Sequence, residues 1–250
     1  MMVQSMRSGT YVQPGETYGC VGCHENRVGD IPPPAARPRA LRRKPDRLAG
    51  WYGAPRRFCF QREVQPVFDR RCVSCHDYGK EAGARLNLAR DRDVVFSTSY
   101  VDLWTQGALT CVGGGPAEIQ QAYTWGSHPS KLIRKVRAAH AGVKLSPEEL
   151  DRLITWVDLN APYYPCYESA YPDNQGGRSP LSSDEMKRLK ELTGVTPANS
   201  HGARQRSQIS FDRPELSRIL SGLATNAAGR AEALALIRAG GGIGICQVAL

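Results

Sequence analysis

The stretch EVQPVFDRRCVSCHDYG, residues 63–79, decides how the chain is read. Its first half has a helical period: Val64, Val67, Phe68 and Cys72 fall at i, i+3, i+4 and i+8 on one face, and Pro66 is tolerable only in a first turn. A helix running straight into Cys72 is the expectation. The second half sets Cys72, Cys75 and His76 in the order C-x-x-C-H. Two thiols three positions apart can each form a thioether to a porphyrin vinyl group, and the next residue then projects its imidazole toward the iron. The same device stands in CVGCHENRVGD, residues 20–30, as Cys20, Cys23 and His24. With 5 His in 250 residues, a histidine behind both pairs by accident has a chance of about 4 in 10,000. A zinc site built from Cys20, Cys23, Cys72 and Cys75 is the rival, and it leaves both histidines without a role. Two haem c groups are therefore expected, with the four cysteines as thioethers and His24 and His76 as proximal iron ligands.

Whether an iron relays electrons or does chemistry depends on its sixth position, since a filled site relays and an open one binds substrate. Three other histidines exist. His140 lies 64 residues after His76 and just before a strong helix, which makes it the leading distal ligand of the second haem. His128, in WGSHPSKL, is a second candidate, for the first haem, although a histidine before proline also suits a helix-entry turn. His201, in ANSHGARQRS, reads as a solvated loop residue. Of the four methionines, Met1, Met2 and Met6 crowd the start and Met186 reads as the core face of a helix.

The formal charge is +9, and the four propionates of two haems would lower it to about +5. Much of the excess is local: RPRALRRKPDR, residues 37–47, follows Pro32, Pro33 and Pro34 and reads as a semi-rigid solvated linker, or as a docking segment for an acidic redox partner. No helix-turn-helix, finger or RNP pattern accompanies the charge, so nucleic acid is not an expected partner. No window approaches a membrane span, and MMVQSMRSGTYVQPGE lacks the apolar core of a signal peptide. Because haem of this kind is attached outside the cytoplasm, the expectation is a later part of a longer exported polypeptide, in the periplasm or another extracytoplasmic space. Cys59, Cys111, Cys166 and Cys246 are left as disulfide partners or buried thiols, the pairing open.

Three regions are expected: 1–50, the first haem segment and Pro/Arg linker; 51–168, the unit around the second haem; and 169–250, a short helical extension with an irregular end. SKLIRKVRAAH places Leu132, Ile133, Val136 and His140 at helical spacing, with Ser127 or Ser130 to cap it. SPEELDRLITWVDLN has Ser146 as N-cap, Pro147 at the first position and Glu149 to close a capping box. Short helices are expected near 182–193, where Ser182 and Glu185 repeat the box, and near 214–221 and 229–239. Residues 77–126 read as mostly irregular. The fold class is mainly α and loop-rich.

In its order of helix, haem motif, long loop, ligand-bearing segment and final helix, the span 58–160 resembles small cytochromes c. The stretches YVQPGETYGCVGCHENR, REVQPVFDRRCVSCH, GSHPSKLIRKVRAAHAGVKLSPEELDRLITWVDLNAPYY, LSRILSGL and EALALIRAG together resemble the middle domain of the hydrazine synthase alpha subunit and its cytochrome relatives. That resemblance implies a dihaem cytochrome c-like domain of a larger extracytoplasmic protein, often behind a β-propeller that would lie upstream. It carries over Cys20, Cys23, His24, Cys72, Cys75 and His76, and His140 as the second ligand of a bis-histidine relay. In that enzyme the other haem is a catalytic centre with a tyrosine ligand, and no tyrosine follows His24 closely here. An electron-transfer module is thus favoured over an enzyme, the alternatives being a catalytic haem acting on small nitrogen or oxygen species and a haem-stapled structural or sensing module.

Overall fold

The structure is a computed structural model and describes residues 15, 16, 44, 50–112, 121, 123–166, 168, 171–174, 178–197 and 205–241. The chain divides into two compact units, Met6–Pro55 and a larger one carrying Arg56–Leu250. The described part of the larger unit is helical and loop-rich. It contains no β-strand, only an isolated antiparallel bridge between Arg92 and Ser97.

Helix α1 (Phe60–Glu63) leads into α2 (Gln65–Arg71), which has Pro66 in its first turn and ends on Cys72, as the apolar period requires. Val64, Val67 and Phe68 are buried on its inner face. Helices α3 (Glu81–Arg85) and α4 (Thr98–Thr105) follow within a region whose sequence reads as irregular. Helix α5 (Lys131–Arg137) buries Leu132 and Ile133, and α6 (Pro147–Asp158) begins with the full Ser146/Glu149 capping box. Ser130 stands at the N-cap of α5, but its hydroxyl donates to Gly126 O at 2.7 Å and accepts from the Thr110 N–H at 2.9 Å, tying two loops together and leaving the helix end uncapped. Ser127 binds the Asp158 carboxylate through both its N–H and its hydroxyl, at 2.7 and 3.0 Å.

The first core gathers around Phe60. Its ring lies 5.0 Å from Trp156, 5.3 Å from Tyr100 and 5.4 Å from Tyr163 between centroids, distances at which aromatic pairs add to plain burial. The second core joins α7 (Ser183–Thr193) and α8 (Ala227–Ala239) to the short 3-10 turns Pro214–Leu216 and Arg218–Leu223. Met186 and Leu189 of α7 point into it, as the sequence period requires, and Gly194 ends α7 at φ 71°. Val94 and Val95 contribute to this second core from the first half of the unit, and Phe96 and Tyr164 touch both cores.

Buried carboxylates bind these layers through arginines. Glu63, 1% exposed, receives Arg56 at 2.5 and 2.7 Å and also Arg152. Asp102, fully buried on α4, receives the Asn87 N–H at 2.9 Å and Arg206. Asp91 takes Arg213 at 2.7 and 2.6 Å.

Candidate metal centre

The end of α2 builds the second C-x-x-C-H segment. The Cys72 N–H still bonds Phe68 O at 2.8 Å, and the chain then tightens so that the N–H groups of Cys75 and His76 both reach Cys72 O, at 3.1 and 2.9 Å. That turn leaves Cys75 exposed, Cys72 half-buried and His76 half-buried, with both thiols free. Burial raises the Cys72 thiol to about 11, reinforced by Glu149 and Cys75, so it is held as a neutral thiol near pH 7.

His76 is held at three points. Its carbonyl accepts the Leu88 N–H at 2.9 Å, its own N–H bonds Cys72 O, and its ring Nδ1 lies 2.9 Å from Leu86 O. A carbonyl can only accept, so Nδ1 carries a proton, and in the neutral ring Nε2 is the nitrogen with the lone pair. This is the arrangement by which metal-binding imidazoles are fixed in tautomer and orientation.

The loop beyond the motif is anchored from far along the chain. Arg213 donates to both Asp77 oxygens, at 3.0 and 2.8 Å, while holding Asp91 and lying 4.8 Å over the Tyr78 ring. Burial alone would raise the Asp77 carboxyl. The Arg213 bonds and the Tyr78 N–H outweigh it, so the group lies below its ordinary value. Gly83 packs against the same loop so closely that a Cβ there would stand 1.8 Å from Asp77 O.

His140 does not continue α5, as its spacing had suggested. The helix stops at Arg137, and His140 opens a short 3-10 turn, His140–Gly142, which is preceded by left-handed Ala139 at φ 49° and itself contains Ala141 at φ 52° and Gly142 at φ 77°. Alanine adopts that region only at a cost. The turn nevertheless brings the exposed His140 ring opposite His76, with centroids 6.3 Å apart and planes inclined by 48°. A metal ion between two imidazoles needs about 2.0 Å to each nitrogen and about 1.1 Å more to each ring centre, or about 6.2 Å in all. The centroid separation is thus that of two imidazoles sharing one ion. Among the described residues no group of three or more His, Cys, Asp or Glu could hold a metal, so an ion here would need its remaining ligands from a bound group.

His128 lies elsewhere, its ring 4.5 Å from that of exposed Tyr123, and its Nε2 is buried with no hydrogen-bond partner. Cys20, Cys23, His24, His201 and Cys246 lie outside the described residues. Cys59 is disulfide-bonded, whereas Cys111 is a buried free thiol and Cys166 a half-buried one. Sequence reasoning missed the Leu86 carbonyl, Gly83 and Arg213; only Gly83, a lone glycine within a helix-like run, left a visible signal.

A sequence profile of the hydrazine synthase alpha subunit middle domain matches residues 1–25, a segment that ends one residue past His24 and contains the first C-x-x-C-H motif. No curated protein matches the chain. Nor does any solved structure.

Proposed function

We propose that the chain is a dihaem c-type cytochrome module that passes single electrons, akin to the hydrazine synthase alpha middle domain and folded around its second haem like a small cytochrome c. Cys72 and Cys75 would hold that haem as thioethers, with His76 and His140 as its axial ligands; Cys20, Cys23 and His24 would hold the first. The observation that carries the reading is the 6.3 Å separation of the His76 and His140 rings, with His76 Nδ1 committed to Leu86 O so that Nε2 is the free donor. The family match over residues 1–25 supports the first site.

The bound group would supply a one-electron couple near the protein surface. The residues of this chain would tether it, fix the proximal imidazole and supply His140 on the far side, a resting ligand set suited to electron relay. Its maturation implies an extracytoplasmic setting. An acidic redox protein is the partner that fits best: Lys131, Arg134 and Lys135 on α5 and Lys144 just after the His140 turn are exposed, have no ion pair among the described residues, and are joined by no carboxylate between residues 131 and 147. By contrast Arg56, Arg70, Arg71, Arg85, Arg90, Arg92 and Arg152 are all paired. Unneutralised charge concentrated on one face steers an oppositely charged partner.

The test is a haem-stained denaturing gel of the chain, exported in a host that matures c-type cytochromes, beside Cys20→Ala/Cys23→Ala and Cys72→Ala/Cys75→Ala variants. Each variant should keep half the stain. An unstained parent would end the proposal.

A further inference from the structure

We propose that His140 is an exchangeable ligand, so that the second haem opens its sixth position to a small neutral diatomic molecule. The inference rests on the reading that Cys72, Cys75 and His76 hold a haem. It comes from the unequal construction of the two sides. His76 is fixed through its ring, its N–H and its carbonyl. His140 is exposed, its ring has no hydrogen bond among the described residues, and Ala138, Ala139, Ala141 and Gly142 around it are exposed as well. An axial imidazole whose second nitrogen is unanchored loses about 10- to 100-fold in affinity.

The backbone adds a push in the same direction. Ala139 and Ala141 are both held at positive φ, each an unfavourable state by a factor of roughly 5 to 30. That strain relaxes when the turn swings away. The swing has natural ends: Leu132 and Ile133 hold α5, and the Ser146 capping box with Leu153, Trp156 and Val157 holds α6, so only residues 138–144 need move. Gly142 supplies backbone freedom between them. When His140 leaves, the thioethers and His76 still hold the haem. The vacated position would face solvent at this exposed turn; a compact uncharged π-acceptor suits it, because it binds through the iron and needs no hydrogen-bond donor from the protein.

Carbon monoxide is the probe, mixed by stopped flow with the dithionite-reduced full chain and read from the Soret band. The expected result is a phase whose rate reaches a plateau with CO concentration, set by His140 departure, and which becomes linear in CO in His140→Ala. Ala139→Gly/Ala141→Gly, which accepts the same φ values without strain, should lower the plateau rate at least about fivefold. Two outcomes would overturn the inference: a parent showing no CO phase that His140→Ala alters, or an unchanged plateau in the glycine pair. Loss of covalent haem at Cys72 and Cys75 on the stained gel would instead strike the underlying reading, and the inference with it.

Discussion

Replacing Gly83 by alanine should damage the second site although the added group is a single methyl. The Cβ would stand 1.8 Å from Asp77 O and 2.9 Å from Asp77 N, against a contact distance of about 3.2 Å. Neither atom is the flexible end of a side chain, so α3 and the loop after His76 must part by about 1.4 Å. The His76 Nδ1 bond to Leu86 O crosses that same loop at 2.9 Å and could not survive such a shift. Overpacking of this kind costs about 1–3 kcal/mol and the lost hydrogen bond about 1 kcal/mol more. In a unit of this size the sum corresponds to a drop in Tm of about 5–15 °C. The control is Gly222→Ala, at an exposed position where the nearest atom, Thr193 O, is 3.9 Å away. Thermal unfolding followed by circular dichroism compares the two. Equal Tm values for Gly83→Ala and Gly222→Ala would show that this close approach does not constrain the loop, and the argument for a rigid proximal side would fail.

Two pH dependences of opposite sign should be measurable by urea unfolding. Burial pushes the Asp93 carboxyl up to about 7 against Ser207 and the N–H groups of Val94, Gln208 and Ile209, so between about pH 4 and 7 the folded chain keeps a proton that the unfolded chain has lost. Stability from this group therefore falls as pH rises, by about 4 kcal/mol over the window, and Asp93→Asn should gain that much on the parent from pH 4 to 8; a constant difference refutes the assignment. For Glu63 burial is outweighed by Arg56 and Arg152, leaving the carboxyl below its ordinary value. Its contribution is complete above about pH 5 and is lost as pH falls through the lowered folded value, so Glu63→Gln should be destabilised at pH 7 and approach the parent with increasing acid. A gap that does not narrow in acid would mean the cost is steric.

The helices flanking the site were legible because they carry local signals: a one-faced apolar period in α2, and Ser-Pro-x-Glu at the start of α6. Helix α4 was not. Thr98, Ser99, Tyr100, Val101, Asp102 and Leu103 are all buried, so no solvent face alternates with a core face and no period exists to detect. Its polar members are satisfied at long range, Asp102 by Arg206 and Thr98 by Ser207. The spacing of Leu132, Ile133, Val136 and His140 predicts a helix through His140, and the left-handed Ala139 breaks it first. Spacing alone singles out Cys72, Cys75 and His76 as candidates. What holds His76 in place is a backbone carbonyl and an arginine 137 positions beyond it, neither of which leaves a pattern near the motif.

The same long-range ties decide whether the second site can stand without the C-terminal segment. Asp91 is 2% and Asp102 0% exposed, and their cations, Arg213 and Arg206, both come from beyond residue 200. A chain ending at residue 168 would leave two buried carboxylates uncompensated, at about 3–5 kcal/mol each, and would uncover Val94 and Val95. Single domains hold only about 5–15 kcal/mol of net stability, so the loss is comparable to the whole. Residues 56–168 should therefore fail to unfold cooperatively, whereas the full chain should do so. Adding Asp91→Asn and Asp102→Asn to the short piece should recover part of the transition by removing the unpaired charge. If the unmodified short piece melted cooperatively at the temperature of the full chain, the C-terminal arginines would be surface decoration and the proximal loop self-supporting. On the distances seen, they are instead the far half of the frame that fixes His76.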